Sequence, residues 1–350
     1  MIEDIRKWFE NEKKFKGRGL MQNTAVITGA NGMDGSYLAE LLLEKGYLVV
    51  GIDRRKSVDS VASNFRISHL LNNKNFILLK GDITDAPFVN RLMAKYKPDE
   101  FYNLAAMSFV KESFNTPAAT FDIDAKAILY MLEAIRHLSP KTKFYQASSS
   151  EQYGDNPHTP YNEESKFMPR SPYAVAKASA HYYVKVYREA YGIFACAGIL
   201  FNHEGPRRGE EFVTKKIARG VARIVRGLQK EIVLGNLDAK RDWGYAKEYV
   251  EYMWLMLQQQ KPDDFVVATG EAHSIREFLD KAFKYVGISD WKPYVKTSEE
   301  HIRATDVPCL VGDASNAKKV LGWEPKIRFE KLVEIMVDYE LDLISSKTDE

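Results

Sequence analysis

The sequence has few cysteines and no long apolar run. Cys196 and Cys309 are its two cysteines, and neither has another cysteine near it. This excludes a disulfide-stabilised scaffold and a cysteine-ligated zinc site, and it indicates a reducing compartment. No apolar segment approaches the roughly 20 residues of a membrane-spanning helix, and residues 1–20 lack the apolar stretch of a signal peptide. We therefore expect a cytoplasmic protein without a membrane partner.

The sequence also lacks an excess of charge of one sign. Lys and Arg total 50 and Asp and Glu total 48, which leaves a formal net charge of +2. Such a balance gives no general attraction to nucleic acid or anionic lipid, so we expect no nucleic-acid partner and only local basic sites. The 350 residues are 45% hydrophobic, which is typical of a globular chain whose core needs no covalent cross-links.

Short apolar runs alternate with helical patterns from Thr24 onward. The runs are AVIT (25–28), YLVVGI (47–52), FILLK (76–80), FYNLAA (101–106), KFYQAS (143–148) and GIFACAGILF (192–201). Apolar runs of this length, separated by helices, indicate parallel strands that are buried on both faces. Successive βαβ units predict an α/β fold, a Rossmann-type doubly wound parallel sheet with a smaller C-terminal α/β lobe.

We expect three segments along the chain. Residues 1–21 form an N-terminal extension with apolar residues at helical spacing, and residues 22–205 form the dinucleotide-binding domain with the catalytic residues. Residues 206–350 form mainly a lobe over the carboxyl edge of the sheet, where open α/β sheets bind ligands. In this lobe we predict a helix over Phe212–Gln229 and a capping box at Ser274, in S-I-R-E. The boundary between the two lobes is not sharp, and we allow for a chain that crosses between them more than once.

The first strand runs directly into a glycine-rich turn, GANGMDG. Its three glycines permit a tight turn, close approach of a pyrophosphate and close packing of the next helix on the strand, and that helix directs its N-terminus at the phosphates. The turn therefore predicts dinucleotide binding. The residues expected to contact the dinucleotide here are Gly29, Ala30, Asn31, Gly32, Met33, Asp34 and Gly35.

The end of the second strand bears on which dinucleotide is bound. Asp53 stands there, followed by Arg54 and Arg55. A carboxylate at this place binds the ribose hydroxyls of NAD, whereas arginines accept the 2′-phosphate of NADP. Because two arginines outweigh one carboxylate that can turn aside, we expect NADP rather than NAD. The remaining predicted contacts are Asp82, which alternatively caps a helix, Ile83, Leu104, Ala105, Ala106 and Ser108.

A tyrosine and a lysine lie one helical turn apart in SPYAVAK. An ammonium group at Lys177 near the phenol of Tyr173 lowers the phenol's pKa, and an oxidised nicotinamide lowers it further. The tyrosinate then takes a hydroxyl proton while hydride leaves the same carbon. Ser149, in ASSSEQYG, is placed to hydrogen-bond the reacting oxygen. Glu151 would point the same way if strand geometry persisted, and a carboxylate there permits elimination beside a new ketone.

These residues resemble the extended short-chain dehydrogenases/reductases, and within them the GDP-mannose 4,6-dehydratase family. The resemblance runs from about Thr24 to near the C-terminus, and it is most specific in FYQASSSEQYG, PRSPYAVAK, GILFNHEGPRRGEEFVTKKI and LGNLDAKRDWGYAKEYV. It implies that Ser149 takes the place of the family's active-site Thr. It also implies that Glu151, Tyr173 and Lys177 are the catalytic Glu, Tyr and Lys.

The resemblance further implies the ligands and the reaction. Tyr173, Lys177, His203 and Arg208 match positions near a tightly bound NADP. The residues implied to contact a GDP-sugar substrate are Ser108, Ser149, Glu151, Asn202, Lys216, Arg241 and Arg303. The implied hydro-lyase reaction converts GDP-D-mannose to GDP-4-dehydro-6-deoxy-D-mannose and water by C4 oxidation, C5/C6 elimination and hydride return to C6. It uses no metal, and the implied assembly is a homo-oligomer, a tetramer or a dimer.

Departures from the family pattern leave other functions open. Ser149 replaces Thr, Met107 replaces a common Gln, Ala119 stands where an aromatic is typical, and the stretch from Gly287 to Arg303 is short. A 4,6-dehydratase of a GDP-manno-heptose would use the same catalytic residues. A GDP-sugar C4 reductase or dehydrogenase would bind the same nucleotide, and the intact catalytic set argues against a non-catalytic nucleotide-sugar sensor.

Overall fold

The protein is described here by a computed structural model, which covers residues 22–54, 65–301, 305 and 307–348. The predictions for the extension 1–21, for Arg55 and for Arg303 concern residues outside these ranges.

A seven-stranded parallel sheet forms the centre of the molecule. Its strands are β1 (Thr24–Thr28), β2 (Leu48–Asp53), β3 (Phe76–Lys80), β4 (Glu100–Asn103), β5 (Lys143–Ser149), β6 (Ala195–Leu200) and β10 (Phe265–Val267). They lie in the order β10-β6-β5-β4-β1-β2-β3. The strand order reverses at β1, which pairs with β2 on one side and β4 on the other. This confirms the Rossmann-type doubly wound fold and places its ligand-binding edge beside β1 and β4.

Helices cover both faces of this sheet. They are α1 (Met33–Glu44), α2 (Ala86–Tyr96), α3 (Val110–Asn115), α4 (Pro117–Phe121), α5 (Ala127–Leu138), α6 (Pro172–Tyr191) and α8 (Ala246–Gln258). A five-residue π turn, Asp122–Lys126, lies between α4 and α5. Leu38 of α1 and Met253 of α8 belong to the core on one face, and Ile128 of α5 and Val184 of α6 to the core on the other.

A smaller lobe lies over the carboxyl edge of the sheet. Its elements are β7 (Asn202–Glu204), α7 (Val213–Val225), β8 (Ile232–Leu234), β9 (Lys240–Tyr245), β11 (Ala272–Ser274), α9 (Ile275–Tyr285), β12 (Val295–Thr297), β13 (Cys309–Leu310) and α11 (Phe329–Thr348). Trp243, Phe278 and Phe329 are at the centre of its own apolar core. Helix α10 (Ser315–Leu321) packs instead against the core shared by α1 and α8. Because α8 and β10 also return to the main sheet, the chain crosses between the lobes more than once.

Local chemistry sets the element ends. Strand β3 has the predicted bounds, and the capping box predicted at Ser274 is formed with Glu277. Strand β4 ends at Asn103, before the end of its apolar run. The next two backbone N–H groups, those of Leu104 and Ala105, donate to the hydroxyl of Thr28 instead of to a neighbouring strand. Strand β6 starts only at Ala195, since Gly192 (φ 66) ends α6 in the left-handed conformation.

Among the helices that the structure describes, none combines the length and the apolar composition of a membrane-spanning segment.

Candidate active site

A cleft of about 580 Å³ lies between the carboxyl edge of the sheet and the smaller lobe. It brings together nearly all of the predicted site residues that the structure describes. These are Gly29, Gly32, Met33, Asp34, Gly35, Asp53, Arg54, Asp82, Ile83, Leu104, Ala105, Ala106, Ser108, Ser149, Glu151, Tyr173, Lys177, Asn202, His203, Arg208, Lys216 and Arg241. Ala30 and Asn31 do not line the cleft and are buried within the glycine-rich turn.

The glycine-rich turn is packed too closely for side chains at two positions. Gly29 has φ 67, and a Cβ there would lie 3.0 Å from Ala105 Cα. A Cβ at Gly35 would lie 2.2 Å from Gly29 O, which is closer than any side chain allows. Gly32 caps α1 without a side-chain hydrogen bond, so the first turn of α1 has no protein cap. A helix N-terminus of this kind is suited to phosphate oxygens.

A buried row of polar side chains connects the ends of β1 and β4 to the middle of β5. Thr28 Oγ1 donates to Asn103 Oδ1 at 2.6 Å, and Asn103 Nδ2 donates to Gln146 Oε1 at 2.8 Å. The Thr28 hydroxyl also accepts the backbone N–H groups of Leu104 and Ala105, each at 3.1 Å. These bonds turn the chain out of the sheet after β4 and fix the backbone that lines the cleft. The sequence analysis did not single out this row.

The acidic and basic groups after β2 and β3 line the same end of the cleft. Asp53 is half-buried at the end of β2, and Arg54 beside it is exposed. Asp82 Oδ1 accepts hydrogen bonds from Thr84 N at 2.9 Å and Thr84 Oγ1 at 2.7 Å. Asp82 therefore stabilises its own turn and lines the cleft. It is not a helix N-cap, because α2 begins after Asp85, and its contact with a dinucleotide stays a prediction.

Tyr173 and Lys177 lie on the buried face of α6. The helix begins at Pro172 with Ser171 as its N-cap, whose Oγ accepts Ala174 N at 3.1 Å. Tyr173 is therefore in the first turn, at the cleft. Lys177 Nζ lies 5.7 Å from the centre of the Tyr173 ring and donates to the carbonyl of Ala147 at 3.1 Å.

The electrostatic effect on Tyr173 differs from the expectation based on the Tyr–Lys spacing. Burial raises the pKa of Tyr173, and Asp124 and Glu151 raise it further, whereas a hydrogen bond with Ser149 and the charge of Arg208 act in the opposite direction. Burial also lowers the pKa of Lys177, opposed by the charge of Asp124. The protein's own groups therefore hold the pKa of Tyr173 above its ordinary value.

Ser149 and Glu151 reach the cleft by a different backbone path than predicted. Strand β5 ends at Ser149, and Ser150–Gln152 form a 3₁₀ turn. Strand geometry, which was the condition for Glu151 to point the same way as Ser149, does not continue to Glu151, because Ser149 Oγ accepts Glu151 N at 3.3 Å and the chain bends. The turn nevertheless places Glu151 on the cleft surface with Ser149 and Tyr173.

Asp124, in the π turn, is a buried carboxylate that the sequence analysis missed. Its side chain is fully buried, and its Oδ1 accepts Met107 N at 3.0 Å. A signal was present in the sequence, because Asp124 lies on an otherwise apolar helical stripe with Ile128 and Met131. An acidic residue on such a stripe is unusual unless it has a partner.

His203 and Arg208 each make an ion pair at the cleft. His203 Nε2 lies 2.9 Å from Asp34 Oδ2, and His203 Nδ1 lies 2.8 Å from Phe201 O. Arg208 lies 3.1 Å from Glu204 Oε2, and its guanidinium carbon lies 3.4 Å from the centre of the Phe212 ring. His203 thereby connects the glycine-rich turn to the segment that follows β6.

The residues expected to hold the GDP group lie on the smaller-lobe side. Arg241 is buried on β9, and its Nη1 donates to the carbonyls of Lys240 and Val307, each at 2.8 Å. Lys216 stands in the first turns of α7 and Asn202 begins β7. The two backbone contacts fix the direction of the Arg241 side chain at the cleft.

The chain is similar to known proteins over most of its length. Residues 26–336 match the family described as GDP-mannose 4,6 dehydratase. GDP-mannose 4,6 dehydratase 1 of Arabidopsis thaliana is 52% identical, over 91% of this chain and 90% of that protein. GDP-mannose 4,6 dehydratase of Homo sapiens is 47% identical, over 93% of each.

Solved structures share the fold. UDP-glucose 4-epimerase of Thermus thermophilus, in complex with NAD, superposes with a TM-score of 0.77 at 26% identity, over 91% of this chain and 98% of that one. RMD of Pseudomonas aeruginosa, complexed with NADPH, gives a TM-score of 0.75 at 22% identity, over 92% of this chain and 100% of that one. The chain therefore belongs to the GDP-mannose 4,6-dehydratase family and is a nucleotide-sugar 4,6-dehydratase with a Rossmann-type fold.

Proposed function

We propose that this cleft binds NADP and GDP-D-mannose together and that Tyr173 and Glu151 transfer the protons of the dehydration. The observation that carries the proposal is that one cleft is lined by three predicted groups. These are the glycine-rich turn, the residues predicted to be catalytic, and the basic residues Lys216 and Arg241 of the smaller lobe.

The residues present suit a nicotinamide dinucleotide. The uncapped first turn of α1 provides backbone N–H groups for a pyrophosphate. The close approach of Gly29 to Ala105 keeps the surface there free of side chains. Arg54 supports NADP, because a guanidinium pairs with a 2′-phosphate in bidentate fashion. Among the fold relatives, the Thermus thermophilus epimerase binds NAD and RMD binds NADPH.

The bound nicotinamide supplies the acceptor and later the donor of a hydride. Tyr173 accepts the proton of the C4 hydroxyl, and Ser149 donates a hydrogen bond to that oxygen. The resulting 4-ketone makes the C5 proton acidic, and the Glu151 carboxylate takes it. The C6 hydroxyl leaves with the proton that Glu151 gained, so that one water is released and Glu151 returns to its starting state. When hydride is added at C6, C5 needs a proton, and Tyr173 gives back the proton it took from the C4 hydroxyl, which restores Tyr173 as well.

Mass spectrometry of GDP-mannose incubated with the protein and a trace of NADP⁺ tests this function. We expect a product lighter by one water, with no net accumulation of NADPH. A product lighter by two hydrogens with matching cofactor reduction would show a C4 dehydrogenase instead. Unchanged GDP-mannose would contradict the proposed substrate, and GDP-manno-heptose is then the next compound, since Met107 lines the cleft.

Glu151→Gln separates the oxidation from the elimination. The variant keeps Tyr173 and Lys177, so we expect C4 oxidation with absorbance of reduced cofactor at one equivalent per site, but no loss of water. Tyr173→Phe is the matched variant and should give neither signal. Release of water by Glu151→Gln at a rate near that of the wild type would refute the proton-transfer role of Glu151.

Arg54→Ser tests the choice of dinucleotide. Loss of a guanidinium–phosphate pair should weaken NADP⁺ binding by about tenfold or more while leaving NAD⁺ binding nearly unchanged. Equal weakening of both would show that Arg54 does not contact the 2′-phosphate. Wild-type protein that retains only NAD on purification would contradict the preference for NADP.

Homo-oligomeric assembly is also part of this proposal. Val175, Tyr182 and Val186 are exposed on one face of α6, at 46%, 54% and 51%. Large apolar side chains at this spacing suit contact with a second copy of the chain. Sedimentation at low concentration tests the assembly, and Tyr182→Glu should dissociate it. A wild-type protein that sediments as a monomer would contradict it.

A further inference from the structure

A carboxylate that does not line the cleft is buried together with the catalytic lysine. Lys177 is 2% exposed and Asp124 is 0% exposed. Helix α6, which carries Lys177, packs against the π turn that carries Asp124. Because burial disfavours the charged form of either group, each charge depends on the other for its stability.

The two Asp124 oxygens have different surroundings. Oδ1 accepts the backbone N–H of Met107, whereas Oδ2 is buried without a hydrogen-bond partner. Lys177 Nζ donates to Ala147 O, and it interacts with Asp124 through charge alone. A buried carboxylate oxygen without a donor costs free energy, and a nearby positive charge offsets that cost.

The π turn explains how an aspartate comes to lie here. Asp122–Lys126 make one wider turn between two α-helices, and such turns are frequent at functional sites. Asp122 and Lys126, at its ends, pair with each other at the surface at 3.2 Å. Asp124 in the middle faces inward, toward α6.

We propose that Asp124 is a positioning residue of the dehydration, whose carboxylate keeps Lys177 in its ammonium form and ties the cleft segment at Met107 to the catalytic helix. This rests on the proposed function, in which Lys177 assists Tyr173. The same negative charge opposes ionisation of Tyr173. The charge of Asp124 therefore raises the pKa of Lys177 and the pKa of Tyr173, and it shifts the pH at which each group loses its proton upward.

Other titratable groups on the surrounding elements are engaged elsewhere. Glu151 and Arg208 face Tyr173, with effects of opposite sign. On α6, His181 faces Asp264 at 3.7 Å. Three charged groups on α3 and α5 bind partners away from Lys177: Lys111 binds the carbonyl of Glu300, Glu112 accepts from Asn115, and Glu133 binds Arg136 and Tyr187.

The pH dependence of kcat in Asp124→Asn tests the proposal. Removing one negative charge should shift both the acid and the alkaline limb to lower pH, each by about one pH unit. KM for GDP-mannose should change by less than about twofold, because Asp124 is not on the cleft surface. Asp122→Asn is the matched control, since it removes an exposed charge from the same turn, and its profile should equal that of the wild type. Unmoved limbs, or a uniform loss of kcat at every pH, would overturn the proposal.

A second measurement follows the protonation of Lys177 without catalysis and begins with the wild-type protein. Only a neutral amine reacts with acetic anhydride, so the pH dependence of Lys177 labelling in the wild-type protein, followed by mass spectrometry, reports its protonation. We expect Lys177 of the wild-type protein to be an ammonium group, and therefore largely unlabelled, at pH 8. In folded Asp124→Asn, labelling at that pH should be about tenfold faster. Full reactivity of wild-type Lys177 at pH 8 would overturn the proposal, whereas absence of dehydration with a protected lysine would refute only the proposed function.

Discussion

The imidazole of His203 faces two hydrogen-bond acceptors. Phe201 O lies 2.8 Å from Nδ1, and Asp34 Oδ2 lies 2.9 Å from Nε2. Two hydrogen bonds donated by the ring require a proton on each nitrogen, so this arrangement favours the positively charged imidazolium form. Burial alone would lower the pKa of His203, but the charge of Asp34 and the hydrogen bonds outweigh burial and raise that pKa above 6.5.

This ion pair predicts a stability that depends on pH. A raised histidine pKa contributes stability that is complete below pH 6.5 and is lost as pH rises through the folded-state pKa. The loss of thermal midpoint in His203→Gln should therefore be largest near pH 6 and should shrink toward pH 9. His69→Gln is the control, because His69 pairs with Glu40 at an exposed site. A difference between wild type and His203→Gln that is the same at all pH values would contradict a charged His203.

At the scale of elements, the Thr28–Asn103–Gln146 row holds three parallel strands in register at the cleft. Thr28→Val keeps the shape of the side chain but leaves Asn103 Oδ1 and the amides of Leu104 and Ala105 without the hydroxyl. We expect the free energy of unfolding to fall by about 2–4 kcal/mol, measured by urea denaturation. Thr28→Ser keeps the hydroxyl and should retain most of the stability. Similar losses in the two variants would show that packing of the methyl group matters more than the hydrogen bonds.

Sequence patterns predict the elements whose chemistry is local. The apolar runs predict six of the seven central strands, and the spacing of the glycines predicts the turn before α1. The path after β5 could not be predicted, because the bend at Glu151 depends on a hydrogen bond to the side chain of Ser149. Burial is the main cause of the raised pKa of Tyr173, and Asp124, which comes close only when the π turn packs on α6, raises that pKa further. Both the bend after β5 and the pKa of Tyr173 therefore depend on contacts that a sequence pattern does not reveal.

At the scale of the whole molecule, one face of the main sheet is covered by a helix from the C-terminal half. Tyr249, Met253 and Met256 of α8 belong to the same core as Leu38 of α1. Strand β10 covers the edge of β6. We therefore predict that a fragment of residues 22–205, expressed alone, will be insoluble or will lack a cooperative thermal transition. A fragment with a sharp transition would show that the first half is stable without α8 and β10.

Strand β10 pairs with β6 but follows it by more than 60 residues in the sequence, and this separation affects folding during synthesis. While the ribosome synthesises α7, β8 and β9, strand β6 is already complete and has an unpaired edge, and the apolar face of the sheet has no α8. An open edge of this kind pairs readily with other chains. The nascent protein is therefore most exposed to aggregation, and most in need of a chaperone, between synthesis of β6 and release of β10.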